Sequence, residues 1–149
     1  MPATNPQPGG VFDPSRDVSV TGQIVSSGPQ SKAGGIGYTN GAGATVTQLT
    51  NRSTAVVINA LCGTITTINT SLAAEAAASF TVNNSCVDTD DGVVIWQRGG
   101  AVGVLTDVVV IAQAQGSFTI SVMNGNPAAG VAETGAIRIG FAVIKASTV

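Results

Sequence analysis

The chain has 149 residues, of which 44% are apolar and only 9% charged, with a net charge of −2 and no histidine. An average globular protein carries about 25% charged residues. The length suits one domain able to bury roughly 70% of its unfolded surface, and the lack of histidine removes the commonest general base and transition-metal ligand.

A monomer with so few charges would have a poorly solvated surface. Covering that surface with partners resolves the difficulty, so the composition points to an oligomer or an assembly subunit. The basic residues Arg16, Lys32, Arg52, Arg98, Arg138 and Lys145 are scattered, and without a basic patch no nucleic acid is expected as a partner. No apolar run approaches the roughly 20 residues of a membrane helix, so no membrane partner is expected either. The first residues lack the charged and apolar regions of a secretion signal, and export is not expected.

Residues 1–17 read as an extended or flexible arm. Pro2, Pro6, Pro8 and Pro14, with Gly9 and Gly10, rule out a helix or an interior strand there. Its one apolar patch is Val11, Phe12, Asp13 and Pro14, which form the candidate contact with a neighbouring subunit. The competing reading is a frayed terminus with Phe12 folded back on its own domain. The remainder, 18–149, reads as a single β-sandwich domain.

Residues 18–25 alternate as a first strand, and 26–37 form a loop. The glycine-rich stretch 34–43 is not a phosphate cradle. It lacks the Lys-Ser/Thr ending of a P-loop, and a strand pattern at 44–50, not a helix, follows it. Short β runs come next at 53–59 and 63–68. Residues 71–78 have the best helix propensity in the chain, but the run is too short to stand alone, so a single turn or a bend is expected. Strand patterns resume at 79–83 and 92–98, the latter bearing Trp96, which reads as a core residue.

The strongest pattern lies between residues 106 and 144. The run 107–114 is followed by Gln115-Gly116 and a return run at 117–123. Phe118, Ile120 and Val122 point one way, Thr119 and Ser121 the other, which is the period of a half-buried strand. Gly116 tolerates positive φ, so a tight hairpin is predicted. After a loop at 124–134, Ile137, Ile139, Phe141 and Val143 share one face. These three runs are expected to form the floor of one antiparallel sheet. The whole reads as an all-β, antiparallel β-sandwich or jelly-roll-like body of about 8–9 strands.

Candidate chemistry is sparse. Without histidine no Ser-His-Asp or Cys-His arrangement can form, so no catalytic residue and no cofactor is assigned, and the chain is not expected to be an enzyme. Asp88, Asp90 and Asp91 offer oxygens that a calcium ion would accept. Asp and Gly are also the ordinary residues of a turn between strands, and the turn is the preferred reading. Cys62 and Cys86 show no metal-binding spacing. They read as small, buried, reduced thiols, although a disulfide is open if their strands adjoin. The three Asn-x-Ser matches at Asn51, Asn69 and Asn83 carry little weight without a secretion signal.

Several short motifs do carry a resemblance. They are Gly35-Ile36-Gly37-Tyr38-Thr39-Asn40-Gly41-Ala42-Gly43-Ala44-Thr45-Val46-Thr47-Gln48-Leu49-Thr50, Cys62-Gly63-Thr64-Ile65-Thr66-Thr67, Leu72-Ala73-Ala74 leading to Ser79-Phe80-Thr81-Val82, and Phe141-Ala142-Val143-Ile144-Lys145-Ala146. Over residues 34–147 they resemble small virion structural proteins of tailed bacteriophages and prophages, and by analogy the trimeric capsid cement, or decoration, proteins. The arm has no clear counterpart in that pattern. The resemblance implies a homotrimer on the outside of the capsid, made in the host cytoplasm, with the major capsid protein as its partner. The alternatives are a receptor-facing virion part, such as a tail-fibre or tailspike domain, and a non-viral binding module.

Overall fold

The computed structural model describes Tyr38, residues 42–103 and residues 105–146. The arm with Val11, Phe12, Asp13 and Pro14, the strand expected at 18–25 and most of the glycine-rich stretch lie outside the described residues.

Eight strands follow in order: β1 Gly43–Thr47, β2 Val56–Val57, β3 Cys62–Thr66, β4 Ala77–Asn83, β5 Gly92–Gly99, β6 Thr106–Ala114, β7 Ser117–Asn124 and β8 Arg138–Ile144. There is no helix among the described residues. The strands make two four-stranded sheets, β1-β3-β8-β5 and β2-β4-β7-β6, and the fold is an all-β sandwich. The central pairs β3–β8, β5–β8, β4–β7 and β6–β7 are antiparallel. The outer strands β1 and β2 join in parallel, on β3 and β4, so both sheets are mixed.

The predicted hairpin joins β6 to β7. Ala114 pairs with Ser117 across Gln115 and Gly116, and Gly116 takes φ 77°, a conformation that costs glycine little. On β7, Phe118, Ile120 and Val122 are almost fully buried, and on β4 so are Phe80 and Val82. The first sheet answers with Ile65 on β3 and with Ile139, Phe141 and Val143 on β8, all at 0% exposure. The rings of Phe118 and Phe141 meet across the two layers with centroids 5.7 Å apart and a tilt of 50°. Such a pair adds about 0.5–1.5 kcal/mol beyond the area it buries.

That contact corrects one expectation. The final run does not lie beside the β6–β7 hairpin in one sheet; β8 sits in the opposite layer between β3 and β5. Alternation fixes which side chains face inward, and a strand facing the core from above has the same period as one facing it from below.

Residues 71–78 form a bend. Leu72 bridges to Glu133, Ala76 N–H bonds Ala73 C=O at 3.2 Å, Glu75 takes φ 57°, and β4 has begun by Ala77. The β run expected at 53–59 contracts to the two residues of β2. Trp96 corrects a second expectation, for it lies on the outer face of β5 and is 44% exposed. In Val93-Val94-Ile95-Trp96 both faces of the strand are apolar, so parity alone could not say which side turns in. Cys62 and Cys86 are free thiols, and both are half-buried where full burial was expected.

Candidate functional site

The polar groups inside the sandwich are fully committed. Every buried side-chain nitrogen or oxygen among the described residues has a hydrogen-bond partner. The main knot joins Arg52 and Glu133. Arg52 donates from Nε to Thr70 C=O at 2.6 Å, from Nη1 to Thr67 Oγ1 at 3.2 Å, and from Nη2 to the carbonyls of Glu133 and Gly135 at 3.2 and 3.0 Å. The Glu133 carboxylate accepts from the N–H groups of Val102, Gly103 and Gly135 at 3.0, 2.8 and 2.6 Å, and from the Thr106 hydroxyl. Burial pushes the Glu133 carboxyl upward, but the bonds from Thr106, Val102, Gly135 and Gly103 outweigh it and hold the group at about 2. Burial draws Arg52 below its usual value, and the Glu133 charge partly offsets this. A carboxylate held this far below neutrality, with its acceptor sites filled, is poorly suited to act as a proton acceptor. The knot ties the 124–134 loop to the start of β6 and to the 48–54 turn. Nothing in the sequence singled out Glu133, because a lone acid in a loop of small residues carries no periodic signal.

The acidic turn is likewise occupied. Asp91 accepts from Lys145 Nζ at 2.5 Å, Asp88 N–H at 2.7 Å and Ala146 N–H at 3.0 Å. The Lys145 bond lowers the Asp91 carboxyl, burial opposes it, and the Asp88 and Ala146 N–H bonds lower it further. Asp88 Oδ1 accepts from Thr89 N–H at 2.7 Å. Gln113 Nε2 donates to the Asp88 and Asp91 carbonyls, both at 2.8 Å. The three acids do not converge, and no group of three metal-ligating side chains occurs among the described residues.

The two outer faces of the sandwich differ. On β2-β4-β7-β6, Asp107 is the one charged residue in all four strands. Pairing places Val109, Ser121 and Ser79 in one row and Asp107, Met123 and Ala77 in the next. Val57, Val109, Ile111 and Met123 are all exposed there.

On β1-β3-β8-β5 the only charged strand residues are Arg98 and Arg138. Both are exposed, and neither has a carboxylate partner among the described residues. The central row across this face is Thr45, Thr64, Gly140 and Trp96. A Cβ on Gly140 would overlap the indole at Cε2, Cζ2 and Nε1, so the ring lies flat on the sheet and glycine is needed beneath it. Arg98 Nη1 donates to Thr64 Oγ1 at 2.9 Å. The groove beside the ring has a volume of about 430 Å³ and is lined by Tyr38, Thr45, Thr64, Trp96 and Arg98 among others. Tyr38 donates its hydroxyl to the Val143 carbonyl at the same groove.

No protein-family model, no curated protein and no solved structure matches this chain.

Proposed function

We propose that this chain is a virion structural subunit, a capsid cement protein that tiles against copies of itself and against the major capsid protein on the outside of a tailed-phage head. The observation that carries the reading is the outer face of β2-β4-β7-β6, four strands wide with Asp107 as its single charge. Charged residues are depleted at the centres of protein interfaces, and this face exposes Val57, Val109, Ile111 and Met123 among uncharged Ser and Thr side chains of β4 and β7, a composition that suits association. At strand spacings of about 4.8 Å and about 3.3 Å per residue, the face covers roughly 400 Å². A standard contact buries about 800 Å² per partner, so the face supplies about half of one contact.

A homotrimer uses two different patches on each subunit. The second patch in this reading is the β1–β2 edge, where Leu49 is 80% exposed beside a groove lined by Val46, Thr54 and Val56. The sheet face of one copy then packs on the edge of the next. Many such contacts on one shell act together, so modest single affinities suffice. The buried, fully bonded polar knot suits this role, because it stiffens the loops without leaving a reactive group.

The alternative, a receptor-facing part such as a tail-fibre or tailspike domain, is favoured by the exposed Trp96–Arg98 face. Copy number separates the two. Purified particles are run on a stained gel, and the band is measured against the major capsid protein. Copies comparable in number to the capsid subunits support cement; about a dozen per particle refute it in favour of a fibre.

A further inference from the structure

We propose that the outer face of β1-β3-β8-β5 is a saccharide-binding surface, with Trp96 as the stacking platform and Arg98 as the recognition group for a carboxylate-bearing sugar. The proposal stands on a different face from the one that carries the assembly reading, and holds under either virion role or neither.

The indole lies flat on Gly140 and is 44% exposed, which leaves its other face to solvent. A flat aromatic face in water is an apolar platform with a polar tip. It suits a ligand that is itself apolar on one side and hydroxylated around its rim, as a pyranose ring is. The hydroxyls beside the platform are placed for such a rim. Thr45 and Thr64 stand in the same row of the sheet as Trp96, and each can donate and accept. The groove is lined by residues of all four strands of the sheet, so it runs across them, which suits an extended chain of rings.

Charge narrows the class. Arg98 and Arg138 are the only charged residues in the four strands of this sheet, both point outward, and neither meets a carboxylate among the described residues. Arg98 is already steadied by its bond to Thr64, and its other donors, which have no partner among the described residues, form a fork that matches a carboxylate. A nucleic acid fits less well. Its binding scales with the number of phosphates neutralised, and two arginines on a chain of net charge −2 provide little. A saccharide in which carboxylates are spaced by neutral sugars asks for one arginine at a time.

The test uses the full chain and its single tryptophan as reporter. A hyaluronan hexasaccharide, in which uronic-acid and neutral sugars alternate, is titrated while Trp96 fluorescence is followed; cellohexaose is the neutral control, and a single-stranded oligonucleotide the competing polyanion. Saturable quenching or a blue shift with the uronic-acid sugar, about tenfold or more tighter than with cellohexaose, is expected. Arg98→Gln should bring the two sugars to the same weak affinity. Trp96→Ala should abolish binding in equilibrium dialysis while the far-ultraviolet circular dichroism stays unchanged; should that variant not fold, Trp96→Phe, with a smaller ring, should weaken binding several-fold. Equal binding of both sugars, tighter binding of the oligonucleotide, or no saturable response overturns the proposal.

Discussion

Glu133→Gln is the substitution that asks most of the interior. The two carboxylate oxygens divide four donors: Oε1 takes the N–H groups of Val102 and Gly135, and Oε2 takes that of Gly103 and the Thr106 hydroxyl. Glutamine has one acceptor oxygen and one amide that can only donate. Whichever way the amide is turned, at least one backbone N–H faces another donor. An unsatisfied buried group costs about 1–3 kcal/mol, and bonds to a charged acceptor are worth more than neutral ones. The pH dependence gives a second route to the magnitude. The carboxyl sits at about 2 in the fold against an ordinary 4.5, which at about 1.36 kcal/mol per pH unit corresponds to about 3 kcal/mol. Because the folded value is the lower one, this contribution is complete above pH 4.5. It is lost as pH falls from there towards 2. Urea unfolding of both proteins at pH 7, 5, 4 and 3 provides the assay. Glu133→Gln should be less stable by about 3 kcal/mol at pH 7, and the gap should narrow below about pH 4.5. A gap that stays constant with pH, or that is below about 1 kcal/mol at pH 7, would refute the role given to this carboxylate.

Other perturbations probe other parts. Phe118→Ala and Phe141→Ala should each cost about 3–5 kcal/mol in chemical denaturation; the double variant should cost less than the sum by about 0.5–1.5 kcal/mol, because the rings touch. Lys145→Met should raise the midpoint of the Asp91 carboxyl, followed by NMR, towards its ordinary 3.8, with stability that depends on this group lost at a higher pH than in the parent. A constant midpoint would mean that the Asp88 and Ala146 N–H bonds alone hold it. Deleting residues 1–17 should leave the sandwich folded but weaken binding to capsids in a sedimentation assay; unchanged binding would remove the anchoring role of Phe12.

The legible part of the fold was the part written in alternation. Phe118, Ile120 and Val122 declared the inner face of β7, and Gln115-Gly116 declared the turn. Alternation shows that Ile139, Phe141 and Val143 face inward but not from which layer, because a core has two sides and a strand's period does not name one. The outward position of Trp96 is hidden for a related reason. Its strand has apolar residues on both faces, and only the pairing of β5 with β8 over Gly140 decides that the ring lies outside. Glu133 and Arg52 were invisible. Their partners are backbone groups and two threonine hydroxyls brought together from the 67–70, 102–106 and 133–135 segments, and no local pattern records a meeting of three loops. The outer-face contrast becomes legible only once register is known. Asp107 and Arg98 look alike in the sequence, and the sheets put each on a different side of the molecule.

The central claim is that the nearly uncharged face of β2-β4-β7-β6 exists to meet another copy. Sedimentation equilibrium of the purified chain, beside an Ile111→Glu variant that puts a charge at the exposed edge of that face, tests it most directly. The account predicts a mass that is a multiple of the 14.7 kDa chain for the parent, and a folded monomer for Ile111→Glu. A parent that stays monomeric at every concentration, or a variant that assembles as well as the parent, would contradict it.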